Sequence, residues 1–281
     1  MNMINIGLTG WMDHPLIASD RKRLLEDYAS HFPFVEMDTS FYAIPSIKNI
    51  QSWIDKTPES FQFIPKAFKA MTLHEPWEKH FQSFEEVFDL FKKHFSPMIQ
   101  AGKVKAFLFQ FPPFFRYSEK NISYLKQVRD WMGGLPVAIE FRHQSWYSAD
   151  HREDTLGFMS RHEFIQVVID QPQTPSNSVP TILEATSKQL TLYRLHGQNY
   201  SGWLNANDDE NWRENRTLHD YTKEELSKIK ENTLLLKQQS QEVSVIFNNN
   251  SGGHAAKNAK ELQEMLDIDF DGLHPQQLNL F

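Results

Sequence analysis

Short apolar runs alternate along this chain with longer amphipathic stretches. Eight runs stand out, at residues 4–8, 34–38, 61–66, 105–111, 137–142, 164–170, 191–196 and 243–248. Each is too brief for a helix of ordinary length and reads as a buried β-strand. Between most of them, apolar residues recur every three or four positions. Residues 46–56 put Ile47, Ile50, Trp53 and Ile54 on one face, and Phe81, Phe84, Phe88, Phe91 and Phe95 form a second stripe. Further helices are expected over 20–31, 118–131, 150–161, 222–239 and 255–266. Such alternation implies parallel strands, because each return to the sheet must cross one of its faces. Eight units without a Gly-rich dinucleotide fingerprint favour a (β/α)8 TIM-like barrel over an open doubly wound sheet.

Two stretches break the rhythm. Pro172, Pro175 and Pro180 interrupt residues 171–189, so the sixth helix is expected to be irregular or missing. An irregular insert carrying Tyr200, Trp203 and Trp212 follows the seventh strand. No linker composition divides the chain. Residues 1–272 read as a single barrel domain and 273–281 as a C-terminal tail.

Composition narrows the function classes. Hydrophobic residues make up 40% and charged residues 23% of the 281, an ordinary balance for a globular chain. A net charge of −7 leaves no cationic surface for a phosphate backbone, so no direct nucleic-acid partner is expected. The absence of Cys excludes disulfides, thiolate metal sites and a Cys nucleophile. No basic segment followed by an apolar run opens the chain, and no apolar run reaches membrane-spanning length. A cytoplasmic protein without a membrane partner is the expectation.

The candidate chemistry lies in polar residues on strands that a barrel buries on both faces. Glu36 and Asp38 end the second run, Lys66 the third and Gln110 the fourth. Glu140, Arg142 and His143 end the fifth, Asp170 the sixth, Arg194 and His196 the seventh, and Asn248 and Asn249 follow the eighth. Barrel strands run parallel, so these ends share one mouth, where active sites of this fold sit. Glu36, Lys66, Glu140 and His196 are the candidate acid–base groups. Arg142 and Arg194 are candidates to clamp an anion bidentately. Gln110, His143, Asn248 and Asn249 are candidate polar contacts, while Trp11, Tyr42 and Trp146 offer rings for stacking. No metal or cofactor motif is present, and a divalent ion held by Glu36, Asp38 and Asp170 is the alternative. A network of ion pairs that only stabilises the rim would use the same residue types. His74, Glu75 and His80 read as surface residues.

Several phrases occur together in order: GLTGW at 7–11, VEMDTSFY at 35–42, FQFIPK at 61–66, FLFQFPPFF at 107–115, IEFRHQSW at 139–146, YRLHG at 193–197 and IFNNNSGGHAAKNA at 246–259. Together they resemble the signatures of the domain of unknown function 72 family over nearly the whole chain. The resemblance implies a TIM-like barrel and assigns no reaction. It carries the family's polar positions onto Glu36, Lys66, Gln110, Glu140, Arg142, His143, Trp146, Arg194, His196, Asn248 and Asn249. The chain departs from the family pattern at Asp38, where Asn is usual, at Ser40, where Thr is usual, and at Pro65, where an apolar residue is usual.

These readings converge on an enzyme that binds a small polar or anionic metabolite, phosphorylated or not, with chemistry of the hydrolase or isomerase kind. The alternative is a non-enzymatic binding module using 171–180 and 203–212 as contact loops. The tail adds a partner of its own. Gln277, Leu278, Leu280 and Phe281 belong to a QLNLF stretch that resembles the QLxLF peptide with which bacterial replication and repair proteins hold the DNA sliding clamp. Packing of these side chains on the outer helices is the competing expectation.

Overall fold

A computed structural model describes residues 3–18, 22–79, 81–175, 178–204 and 211–275. The eight strands are β1 (Met3–Thr9), β2 (Phe34–Met37), β3 (Gln62–Pro65), β4 (Phe107–Gln110), β5 (Val137–Glu140), β6 (Phe164–Asp170), β7 (Leu190–Leu195) and β8 (Glu242–Phe247). All pair in parallel, in the order β3-β2-β1-β8-β7-β6-β5-β4. Isolated bridges Phe63–Val104 and Lys66–Leu108 join the two ends of that order, so the sheet forms a nearly closed (β/α)8 TIM-like barrel.

The seam between β3 and β4 has a local cause. Phe63 N–H donates to the Lys103 carbonyl and Ala67 N–H to the Leu108 carbonyl. The alternating N–H between them belongs to Pro65, which has none to give. The two bridges also span three steps on one strand and four on the other, so one residue near β4 stays out of register.

The helices are α1 (Leu24–Ala29), α2 (Thr39–Tyr42), α3 (Ile47–Asp55), α4 (Phe84–Gln100), α5 (Glu119–Met132), α6 (Arg152–Arg161), α7 (Tyr200–Leu204), α8 (Trp212–Thr217), α9 (Lys223–Lys237) and α10 (His254–Leu266). Ser46, Ser83, Ser118 and Thr222 accept the N–H three residues on and start α3, α4, α5 and α9. The Phe stripe of α4 turns inward, burying Phe88, Phe91 and Phe95 completely. The proline-broken stretch holds no helix among the described residues of 171–189. The insert after β7 is more ordered than its sequence suggests, since it supplies α7 and α8. No helix among the described residues is long and apolar enough to cross a membrane.

Polar layers occupy both ends of the barrel interior. At the N-terminal end Lys105 pairs with Glu242, which also accepts from Asn5 (2.8 Å) and Ser244 (2.7 Å). At the C-terminal end lie Glu36, Glu140 and Arg194. β1 and β2 pair only at Leu8–Val35 and Thr9–Glu36. Below those pairs the Tyr28 hydroxyl is wedged between the strands, accepting from Leu8 N–H (2.7 Å) and donating to the Phe34 carbonyl (2.8 Å). Tyr28→Phe orphans both buried groups and is expected to cost about 1–3 kcal/mol of stability. Urea unfolding of the variant beside wild type checks this, with an unchanged slope and a lower midpoint as the expected result.

Candidate functional site

Arg194 is the centre of the C-terminal layer. It lies on the inward face of β7, since its neighbour Tyr193 points outward to Asn232 of α9 (3.1 Å). Its Nε and Nη2 donate to the two oxygens of Glu36 at 2.7 and 2.6 Å, and its Nη1 donates to Glu140. Glu140 also accepts from Gln110 Nε2 (2.7 Å), and Arg142 Nε lies 2.5 Å from the same oxygen. Thr9 Oγ1 donates to Glu36 at 3.3 Å. Both carboxylates have no exposed surface.

Burial opposes every one of these charges, and the partners decide the outcome. Burial would raise the Glu140 carboxyl, but Arg142, Arg194 and His196 together hold it well below the usual carboxylate range. For Glu36 burial prevails over Arg194, and its pKa is raised. Both Glu36 oxygens nevertheless accept from the guanidinium fork, the pattern of an ionised carboxylate. His196 is pushed well below the ordinary histidine value, first by burial and then by Arg142. Its Nε2 lies 3.2 Å from Arg142 Nη2 and 3.4 Å from Arg194 Nη1, and its Nδ1 lies 2.8 Å from the Asn248 amide. The imidazole is therefore neutral at pH 7.

Above this layer opens a cavity of about 720 Å³. Of the residues singled out from sequence, Asp38, Tyr42, Lys66, Gln110, Arg142, Arg194, His196 and Asn248 line it. Lys66 pairs with Asp38 at 3.1 Å and lies 4.8 Å from the centre of the Phe41 ring. Asn248 and His196 enter as neighbours from β8 and β7.

Other expectations are corrected. Glu36 and Glu140 are not part of the lining but lie beneath the floor, and their oxygens accept from or face the arginines. The Arg194 fork is occupied by the chain's own carboxylates and is not free to clamp an anion. Trp11 is absent from the lining and packs edge-on to Trp53 at 5.7 Å. Trp146 is fully buried, stacked on Phe141 at 4.0 Å, with its indole N–H given to the Phe115 carbonyl. His143 caps the turn at Ser145, and Asn249 donates to the His219 carbonyl and to Asn258. Asp170 accepts from Tyr221 and Gln198, both at 2.7 Å, which braces the loop after β7. Among the described residues no three His, Asp or Glu side chains meet as a metal site, so Glu36, Asp38 and Asp170 are not brought together as ligands.

The insert after β7 and the rim add further residues to the site. Trp203, Trp212, Arg216 and Thr217 come from the α7–α8 insert, Asn250 follows β8, and His74 stands partly exposed at the rim. Burial, then Lys66 and Arg142, lower His74 to about 4. Arg216 lies 3.9 Å from the centre of the Trp203 ring, and Arg142 lies 5.3 Å from it. The aromatic content of this insert was legible as a contact loop, whereas Arg216 and Thr217 carried no signal in the sequence.

The fold and this arrangement define a TIM-like barrel whose carboxyl-end cavity rests on a buried arginine–carboxylate layer. The chain belongs to the DUF72 family: the family model "Protein of unknown function DUF72" matches residues 5–279. It is 48% identical over 284 residues to the UPF0759 protein YunF of Bacillus subtilis (strain 168), covering 99% of this chain and 100% of that one. The crystal structure of a DUF72 family protein from Enterococcus faecalis V583 superposes with a TM-score of 0.93 at 39% identity, covering 99% of this chain and 100% of that one. A DUF72 family protein from Thermotoga maritima gives 0.81 at 29% identity, covering 95% and 100%.

Two predictions follow from the buried layer. Arg194→Met leaves Glu36 without its ion-pair partner and Glu140 with Arg142 alone, so about 3–5 kcal/mol of stability should be lost. Chemical denaturation measures it, and a loss below about 1 kcal/mol would contradict the charged network. The second concerns pH. His74 and His196 bind protons less readily folded than unfolded, so between pH 6.5 and about 4 the unfolded chain takes up more protons. Stability is full above pH 6.5 and falls as pH drops through that window. Thermal midpoints recorded from pH 8 to 4 test the sign, and His74→Asn should flatten the descent.

Proposed function

We propose that the chain is an enzyme acting on a small anionic metabolite bound in the cavity at the carboxyl ends of the strands. The observation that carries this reading is the pair of cationic side chains, Arg142 and Arg216, that line the cavity over the Trp203 ring. Stability does not ask for this. Arg216 has no carboxylate within ion-pair distance among the described residues, and Arg142 Nη1 is buried without a hydrogen-bond partner. A cation or guanidinium N–H left without a partner is costly to hold away from water, and an incoming anion would offset that cost.

Lys66 and His196 are the lining groups suited to proton transfer. His196 is held neutral and oriented by Asn248, and so presents an imidazole that accepts or shares a proton with a bound substrate. Lys66, steadied by Asp38, supplies a donor and a positive charge where negative charge develops. Such a pair serves isomerisation or hydrolysis of a polar metabolite. A thermal-shift screen of small organic acids and phosphates tests the reading. At least one compound should raise the wild-type midpoint, and Lys66→Met should abolish its conversion with little change in the midpoint of the free protein. If nothing raises the midpoint and Arg142→Met changes stability alone, the cluster is a structural rim.

We further propose that the QLNLF tail recruits the protein to a DNA sliding clamp. Gln277, Leu278, Leu280 and Phe281 lie outside the described residues, so sequence alone supports this. The chain before them is tied down by Ser60 to the Gly272 carbonyl (2.9 Å) and by His274 N–H to the Ala29 carbonyl (2.9 Å). Deleting residues 277–281 should abolish clamp binding in a titration with purified clamp and leave the thermal midpoint unchanged. A lowered midpoint, with no binding by the full chain, identifies the tail as packing.

A further inference from the structure

The charges around the cavity point to the kind of anion it takes, an inference that rests on the anion-binding reading above. Glu36 and Glu140 balance Arg194 and Arg142, and Asp38 balances Lys66. Burial keeps His74 and His196 neutral at pH 7. Arg216 remains, so the described lining, taken together with the two carboxylates beneath it, carries one positive charge in excess.

That charge is held in place. A Cβ on Gly202 would sit 2.5 Å from the Asn215 carbonyl oxygen, so α7 packs directly on the α8 backbone. Asn199 Nδ2 donates to that same carbonyl at 2.7 Å, and the Trp203 indole N–H donates to the Arg216 carbonyl at 3.2 Å. The Arg216 guanidinium then rests near Trp203 and, at 5.4 Å, near Trp212, with Arg142 also over the Trp203 ring. Two like charges sharing one indole, one of them without an ion-pair partner among the described residues, make a seat for an anionic group.

The walls differ. On the β2 and β4 side Phe41, Tyr42, Phe111, Pro112 and Pro113 give an apolar rim around the Lys66–Asp38 pair and Gln110. On the β5 and β7 side the lining is cationic, formed by Arg142 and Arg216. A ligand that satisfies both walls has an apolar or ring body and one charged end.

We propose that the cavity selects a monoanion, a carboxylate carried on an aromatic or similarly apolar body, with Arg216 and Arg142 receiving the carboxylate. A phosphomonoester, close to a dianion at pH 7.5, would overfill a lining with one positive charge to spare.

The test titrates the full chain at pH 7.5 with phenylacetate, phenyl phosphate and benzyl alcohol, read by calorimetry and thermal shift. Phenylacetate should bind most tightly and benzyl alcohol should give no shift. Arg216→Met and Arg216→Gln should each weaken phenylacetate by about tenfold or more, the worth of one charge-assisted hydrogen bond. Their ligand-free midpoints should stay level or rise, because an uncompensated cation is removed. If phenyl phosphate binds more tightly than phenylacetate and depends on Arg216, the monoanion assignment falls while the anion site stands. If neither anion binds the wild-type chain, both fall. Equal binding by wild type and both Arg216 variants removes Arg216 from the site.

Discussion

The C-terminal half of this barrel depends on one arginine. Arg194 spans the interior from β7 and joins Glu36 on β2 to Glu140 on β5. Ions moved into a protein interior lose several kcal/mol of hydration each, so none of the three is tolerable alone. Together they are, and they fix the geometry above them. Glu140 steadies Arg142 and Gln110, and the two guanidiniums set His196 beside them. Lining groups that face the cavity thus take their positions from groups that never reach it.

This division of labour shows what was legible in the chain and what was not. Strand positions were legible because burial on both faces leaves nearly continuous apolar runs, and β6 spans 164–170 as its pattern predicts. Helix starts were legible where a Ser or Thr precedes an amphipathic stretch, as at Ser118 and Thr222. The broken sixth helix followed from the ring chemistry of three prolines. The carboxyl-end polar residues were also legible as a group, since a buried strand rarely carries charge without cause.

Their individual roles were not. Sequence alternation says that Glu36 and Arg142 point inward, but not at which depth each side chain ends. Glu140 ends β5 and Arg142 follows two residues later, yet one lies under the floor and the other lines the cavity. Trp146 and Trp203 are both loop tryptophans by sequence. One is consumed by a stack with Phe141, and the other faces the cavity beneath Arg216. Only the packing of α7 on α8, which depends on the bare backbone of Gly202, separates the two fates.

The circle of strands is unevenly fastened. β3 and β4, neighbours in sequence, meet at two isolated bridges on either side of Pro65, whereas β1 and β8 pair over six consecutive residues from opposite ends of the chain. One of the two longest ladders therefore joins the first strand to the eighth, the last of the barrel to be made. Until the final strand leaves the ribosome, the apolar edge of β1 has half its hydrogen-bonding groups unpaired and open to other chains. A barrel fastened in this way asks the cell to shelter its first strand until the eighth has been made.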